Sequence, residues 1–239
     1  MERSRIWRFL QMLARWVCTM LFDLRVYGAR NIPPTGGVLL VSNHQSYLDP
    51  VLLAVGIERP LNYMAKSELF RNPLFSWLIR SLNAFPVEQG AGDVGAVKET
   101  INRLQQGHVL NIYPEGSRTE DGKMLPLEKG VGLVIRRAKV PVVPAVIIGS
   151  FKAWPKRNKM FRPAPIRVMY GPPMDLAKFG RDEIIERLEV TLHQMLADLE
   201  SGKVPKEPPR PGRRLPEKST PVPKSHGRDA RVTEKAPAI

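Results

Sequence analysis

Val38-Leu39-Leu40-Val41-Ser42-Asn43-His44-Gln45-Ser46-Tyr47-Leu48-Asp49-Pro50-Val51-Leu52-Leu53 reads as a strand, a loop and a helix in direct succession. Four consecutive apolar residues, valine at each end, suit a strand buried on both faces, as strands of a parallel sheet are. The polar run from Ser42 to Asp49 is the loop. Asp49 followed by Pro50 is a helix start, with Asp49 at the N-cap and Pro50 in the first turn. The loop holds His44 and Asp49 in a His-x4-Asp spacing. An imidazole at the end of a buried strand, with a carboxylate a short loop away, can take a proton from a hydroxyl, because the carboxylate fixes the tautomer and stabilises the imidazolium. Asp49 has room for both duties, one oxygen capping the helix and the other facing His44. Ser46 invites a nucleophile reading, but nothing around it suggests an oxyanion turn.

The same alternation continues along the chain. Residues 62–65, 109–113, 142–148 and 166–170 read as strands, and 72–82, 94–105, 132–138 and 181–200 as helices. Strands alternating with helices predict an α/β fold: a single domain with a mostly parallel central sheet flanked by helices. In such sheets the working residues lie beyond the strand C-termini. His44 and the turn Tyr113-Pro114-Glu115-Gly116-Ser117-Arg118 both occupy that position. In the turn, Gly116 lets the backbone approach a ligand, and Arg118 offers a planar fork to phosphate.

Ile6 to Leu24 is apolar but interrupted by Arg8, Arg15 and Asp23, and a central arginine in a membrane span costs about 2.5 kcal/mol or more. On a helical projection Arg8, Gln11, Arg15 and Thr19 form one stripe. Ile6, Phe9, Leu10, Leu13, Trp16, Val17, Met20, Leu21 and Leu24 fill the rest. This is a basic amphipathic helix that suits the membrane interface, and no small-residue cleavage site follows it. The expected organisation is 1–27 as a membrane-interface helix, 28–200 as the catalytic domain, and 201–239 as a disordered basic tail with eight prolines.

The 239 residues carry a net charge of +14, and the tail, with ten Lys or Arg against four Asp or Glu, supplies less than half of it. The folded part is therefore basic and suits anionic partners. The single cysteine, Cys18, excludes an intrachain disulfide. His108, His193 and His226 have no ligand partners at metal spacing, so no metal is expected. Between Phe151 and Arg162, Lys152, Lys156, Arg157, Lys159 and Arg162 interleave with Trp154 and Phe161 without an acid. That mixture suits a membrane interface or the phosphates of coenzyme A, and also single-stranded nucleic acid.

Taken in order, Asn43-His44 through Asp49, Pro114-Glu115-Gly116-Ser117-Arg118, and Val140-Pro141-Val142-Val143-Pro144-Ala145 resemble the glycerolipid acyltransferases, in particular the 1-acylglycerol-3-phosphate (lysophosphatidic acid) type. The likeness extends over roughly residues 25 to 175. It implies a membrane-associated enzyme on the cytoplasmic face, with phosphatidic acid as the product. His44, oriented by Asp49, would deprotonate the free glycerol hydroxyl as it attacks the thioester of acyl-CoA or acyl-carrier protein, without an acyl-enzyme and without a cofactor. Asn43, Lys66, Glu115, Gly116, Ser117, Arg118 and Pro144 are the substrate-binding residues that the resemblance implies, Lys66 lying near the acceptor phosphate. A lysophospholipid acceptor, the acyl donor and a membrane surface are the implied partners; nucleic acid is not. The pattern departs at Glu88-Gln89, where the family carries Asp-Arg and its arginine is associated with the acceptor phosphate. Loss of that cation makes another lysolipid acceptor, such as a lyso-aminolipid, the first alternative; a non-catalytic basic module binding membrane or nucleic acid is the second, and it leaves the His44/Asp49 and Glu115/Arg118 blocks unexplained.

Overall fold

The computed structural model describes residues 5–81, 83–87, 94–158 and 160–204. Helix α1 (Arg5–Phe22) leads into strand β1 (Arg25–Tyr27), then β2 (Val38–Ser42), α2 (Asp49–Gly56), β3 (Leu61–Lys66), α3 (Pro73–Ser81) and β4 (Ala84–Val87). These are followed by α4 (Val94–Gln105), β5 (Val109–Ile112), α5 (Gly130–Ala138), β6 (Val142–Ile148), the short α6 (Ser150–Ala153), β7 (Arg167–Tyr170) and α7 (Arg181–Glu200). The strands make one seven-stranded sheet in the order β1-β7-β6-β2-β5-β3-β4. Every pair is parallel except β6 with β7. The expected α/β class and mostly parallel sheet are therefore present.

Each strand of the centre is buried on both faces, and alternate residues feed two cores. Leu39 and Val41 of β2 pack with Leu104 of α4, Val134 and Ile135 of α5, and Ile184, Leu188 and Leu192 of α7. Val38 and Leu40 pack with Cys18 and Phe22 of α1 and Leu52 and Leu53 of α2. At about 25 cal/mol per Å² of apolar surface removed from water, these two layers are the main source of stability. Pro144 lies in a central strand, where its missing N–H would normally break a ladder. The break falls on the β7 side: the carbonyl of Pro144 accepts the Gly171 N–H at 2.8 Å, and pairing resumes beyond it as the bridge between Val142 and Met174.

The N-terminal segment ends differently from the sequence reading. The helix stops at Phe22, Asp23 takes a positive φ of 42°, and residues 25–27 already belong to the sheet. Arg167 fixes the corner by donating to the Asp23 carbonyl and carboxylate at 2.5 and 2.7 Å, which holds the Asp23 carboxyl below its ordinary range. Gly28 follows at φ 69°, and a Cβ there would sit 2.1 Å from the Tyr170 carbonyl oxygen, so only glycine fits this crossing. Among the described residues no helix is long and apolar enough to cross a membrane.

Candidate active site

The parallel strands β2, β5 and β3 end along one edge of the sheet, and the loops beyond them build the site. Past the end of β2, both ends of the Asn43 amide are taken by Ile147 of β6: Nδ2 donates to its carbonyl at 2.9 Å and Oδ1 accepts its N–H at 2.8 Å. Asn43 thus extends the sheet with its side chain and fixes where the next residue starts. His44 Nδ1 lies 2.9 Å from Asp49 Oδ2, so the ring donates from Nδ1 and carries its basic lone pair on Nε2. Nε2 has no hydrogen-bond partner among the described residues, and the ring is 18% exposed. Tyr113 stacks on the imidazole, its ring centroid 3.8 Å from that of His44 and inclined by 14°.

Asp49 is fully buried and is the first residue of α2, with Leu48 at the cap. The expected helix-capping role is not what its carboxylate does. Oδ2 alone accepts three hydrogen bonds, from the His44 ring, the Gln45 N–H at 2.6 Å and the Ser46 N–H at 2.7 Å. The carboxylate turns back onto the loop before it instead of forward into the helix. Oδ1 has no partner among the described residues. Ser46 is no nucleophile here: it is buried, its hydroxyl donates to the Trp154 carbonyl at 2.8 Å, and it accepts the Leu48 N–H at 3.1 Å.

The second loop follows β5. Gly116 has φ 68° and closes a turn on the Tyr113 carbonyl at 3.1 Å, and a Cβ there would meet only the Glu128 side chain, at an ordinary 3.4 Å. Its value is the left-handed backbone. Glu115 is buried and acts as a strap, Oε1 accepting the His44 N–H and Oε2 the Leu125 N–H, each at 2.6 Å. Burial pushes its carboxyl up to about 7, against the pull of those two donors and with help from the Asp49 charge. The Thr119 N–H donates to the His44 carbonyl at 3.1 Å, so the two loops are sewn together on both sides of the histidine. Arg118 lies with its guanidinium carbon 3.5 Å above the Tyr47 ring, and its Nη1 is buried without a hydrogen-bond partner among the described residues. Ser117 is exposed on the turn, and Lys66 is exposed at the end of β3 on the same sheet edge.

The structure therefore gathers His44, Asp49, Glu115, Gly116, Ser117 and Arg118, with Lys66 farther along the same edge. Pro144 stands apart, its ring against Gly171 beside Met195 of α7 in the opposite layer. Asn43 and Glu115 spend their polar atoms on protein groups, which makes them positioning residues in this geometry. Glu88 and Gln89 lie outside the described residues. Tyr113 and Tyr47 were absent from the sequence-predicted set although both sit inside the two motifs; a tyrosine beside a catalytic motif carries no periodicity that distinguishes a stacking ring from a core one.

An acyltransferase family model matches residues 23–148, more than half of the chain. The chain belongs to the acyltransferase family. This acyltransferase is 28% identical over 200 residues to the 1-acyl-sn-glycerol-3-phosphate acyltransferase of Bacillus subtilis, covering 82% of this chain and 98% of that one. It is 29% identical over 195 residues to the enzyme of the same name from Cocos nucifera, covering 80% of this chain and 58% of the relative. The crystal structure of the 1-acyl-sn-glycerophosphate acyltransferase PlsC from Thermotoga maritima superposes with a TM-score of 0.70 at 28% identity, covering 81% of this chain and 80% of that one. The acyltransferase thus shares the fold of that enzyme and spans nearly all of the Bacillus protein, but under two thirds of the Cocos protein.

Proposed function

We propose that the protein transfers a fatty acyl group from a thioester donor, acyl-CoA or acyl-carrier protein, to the free hydroxyl of 1-acylglycerol-3-phosphate, giving phosphatidic acid at the cytoplasmic face of a membrane. The observation that carries this reading is the His44–Asp49 pair, 2.9 Å apart, with Nε2 open beside the Arg118 turn; the names of the relatives support the acceptor. His44 Nε2 takes the hydroxyl proton while the alkoxide oxygen attacks the thioester carbonyl. The tetrahedral adduct collapses with loss of the C–S bond, and the imidazolium returns the proton to the leaving thiolate. Atoms balance without an acyl-enzyme and no cofactor enters. Arg118 and Lys66 hold the acceptor phosphate, the first as a fork already desolvated against Tyr47. Gly116 and Ser117 shape the turn that faces the glycerol, and Asn43, Glu115 and Pro144 hold the strands and loops beneath it.

The test is His44→Ala assayed in vesicles with labelled acyl-CoA and lysophosphatidic acid. The expected loss is about 10²–10⁴-fold in kcat; full activity in a folded variant rejects the mechanism. Gln89 favours a second reading, another lysolipid acceptor, since loss of a charge-assisted contact is worth roughly 1.5–3 kcal/mol. Competition among acceptors separates the two, with Gln89→Arg expected to raise preference for phosphate monoesters.

A further inference from the structure

The segment after β6 carries chemistry that acyl transfer does not use. It is a loop braced by hydrogen bonds among its described residues. Its base is closed by the Arg162 N–H on the Ala153 carbonyl at 2.7 Å, and its interior by Trp154 Nε1 on the Asn158 carbonyl at 2.9 Å and the Asn158 N–H on the Pro155 carbonyl at 3.1 Å. At its exposed side stand two adjacent large apolar residues, Met160 at 78% and Phe161 at 45% exposure. A chain of rings connects this loop to both neighbours. Phe161 meets Phe22 at the end of α1 at 5.9 Å, Trp154 meets Phe161 at 6.0 Å, and Tyr47 of the His44 loop meets Trp154 at 5.4 Å. The rings thus tie the loop to the buried end of α1, the helix whose other side exposes Phe9, Met12, Trp16 and Met20, and to the His44 loop.

Charge points the same way. Lys152, Lys156, Arg157 and Arg162 flank the rings, and the neighbouring acid, Glu120, is shared by Lys156 and Arg157 at 3.3 and 2.6 Å. Exposed apolar side chains beside Trp and Tyr, rimmed by cations, match the interfacial zone of an anionic bilayer. Stacking of nucleic-acid bases needs open ring faces, whereas Trp154 lies between Tyr47 and Phe161 with its N–H already used. We propose that the loop bearing Trp154, Met160 and Phe161 is a second lipid-contacting element, which together with α1 seats His44 on an anionic phospholipid surface. The contact is wired to the chemistry through Ser46, which donates its hydroxyl to the Trp154 carbonyl and its N–H to Asp49 Oδ2. This rests on the reading of the acceptor as a bilayer lipid.

The experiment uses the full chain with Cys18→Ala and Met160→Cys, labelled at residue 160 with a polarity-sensitive fluorophore and mixed with phosphatidylcholine vesicles, phosphatidylcholine–phosphatidylglycerol vesicles, or oligo-dT. The expected result is a blue shift on the anionic vesicles alone, read without any substrate and so independent of the acceptor assignment. No shift while the protein co-sediments with those vesicles overturns the proposal, as does a shift on oligo-dT instead. The unlabelled double variant Met160→Ser, Phe161→Ser should bind anionic vesicles about tenfold or more weakly and lose vesicle activity in proportion. It should keep its activity on a short-chain acceptor dispersed in detergent; equal loss in both assays marks a purely structural loop.

Discussion

At the scale of single residues, the proposed site over-commits a few polar atoms and leaves others open, His44 Nε2 among them. Asp49 Oδ2 holds the imidazole and two loop N–H groups at once, so Asp49→Asn exchanges a charged triple acceptor for a neutral one. The expected outcome is a fall of about 10²–10⁴-fold in kcat with little change in KM, read in a variant shown by circular dichroism to be folded. Glu115 is the second pressure point. Its carboxyl is raised from 4.5 to about 7 mainly by burial, so between those pH values the folded chain keeps a proton that the unfolded chain releases. Folding is then weakened as pH rises through that window and is level above it. Urea melts between pH 5 and 8 should show this decline, and Glu115→Gln should flatten it. The same substitution leaves one of the His44 and Leu125 N–H groups without its acceptor, at a cost of about 1–3 kcal/mol. His44, Asp49 and the Gly116 turn were legible in the sequence because their residue types and order are chemical statements. The use made of Asn43, Glu115 and Tyr113 was not, since an amide, a carboxylate or a ring shows its partner only after distant segments meet.

At the scale of elements, α1 does two jobs on two sides. Gln11, Ala14, Cys18 and Phe22 point inward at helical spacing, and Gln11 Nε2 donates to the carbonyls of Ala54 and Ile57 at 2.9 and 2.6 Å, at the end of α2. The polar stripe seen in projection is therefore partly a protein-facing seam, and the wide apolar face is the exposed one. Gln11→Ala should lower stability by about 1 kcal/mol. Met12→Gln with Trp16→Gln should leave the melting temperature within about a degree or two yet reduce co-sedimentation with anionic vesicles, because both side chains are already in solvent. Most helix and strand positions along residues 38–200 followed from continuous apolar runs and 3.6-residue periods, the four-residue β4 and α6 excepted, being too short to carry either signal. Strand β1 did not, because three residues carry no period. Nor did the reversal of β7, since β-branched content reports burial and is blind to direction.

For the whole molecule, the basic surface and the apolar contacts should add, so association with anionic vesicles is expected to weaken steadily as salt rises from 0.05 to about 0.5 M, where the Debye length falls to a few Å; titration by co-sedimentation reads the slope. The pairing of β1 with β7 sets a further condition, one of time. Arg25 aligns with Arg167, and the chain between α1 and β1 is held by the Ile166 N–H on the Phe22 carbonyl at 2.8 Å. During synthesis roughly 140 residues separate those partners, which at typical elongation rates is on the order of ten seconds. For that interval the N-terminal helix has left the ribosome with its sheet edge unbuilt. A bilayer can receive its apolar face before the rest of the enzyme exists, and a nascent chain stalled short of Arg167 should already bind vesicles.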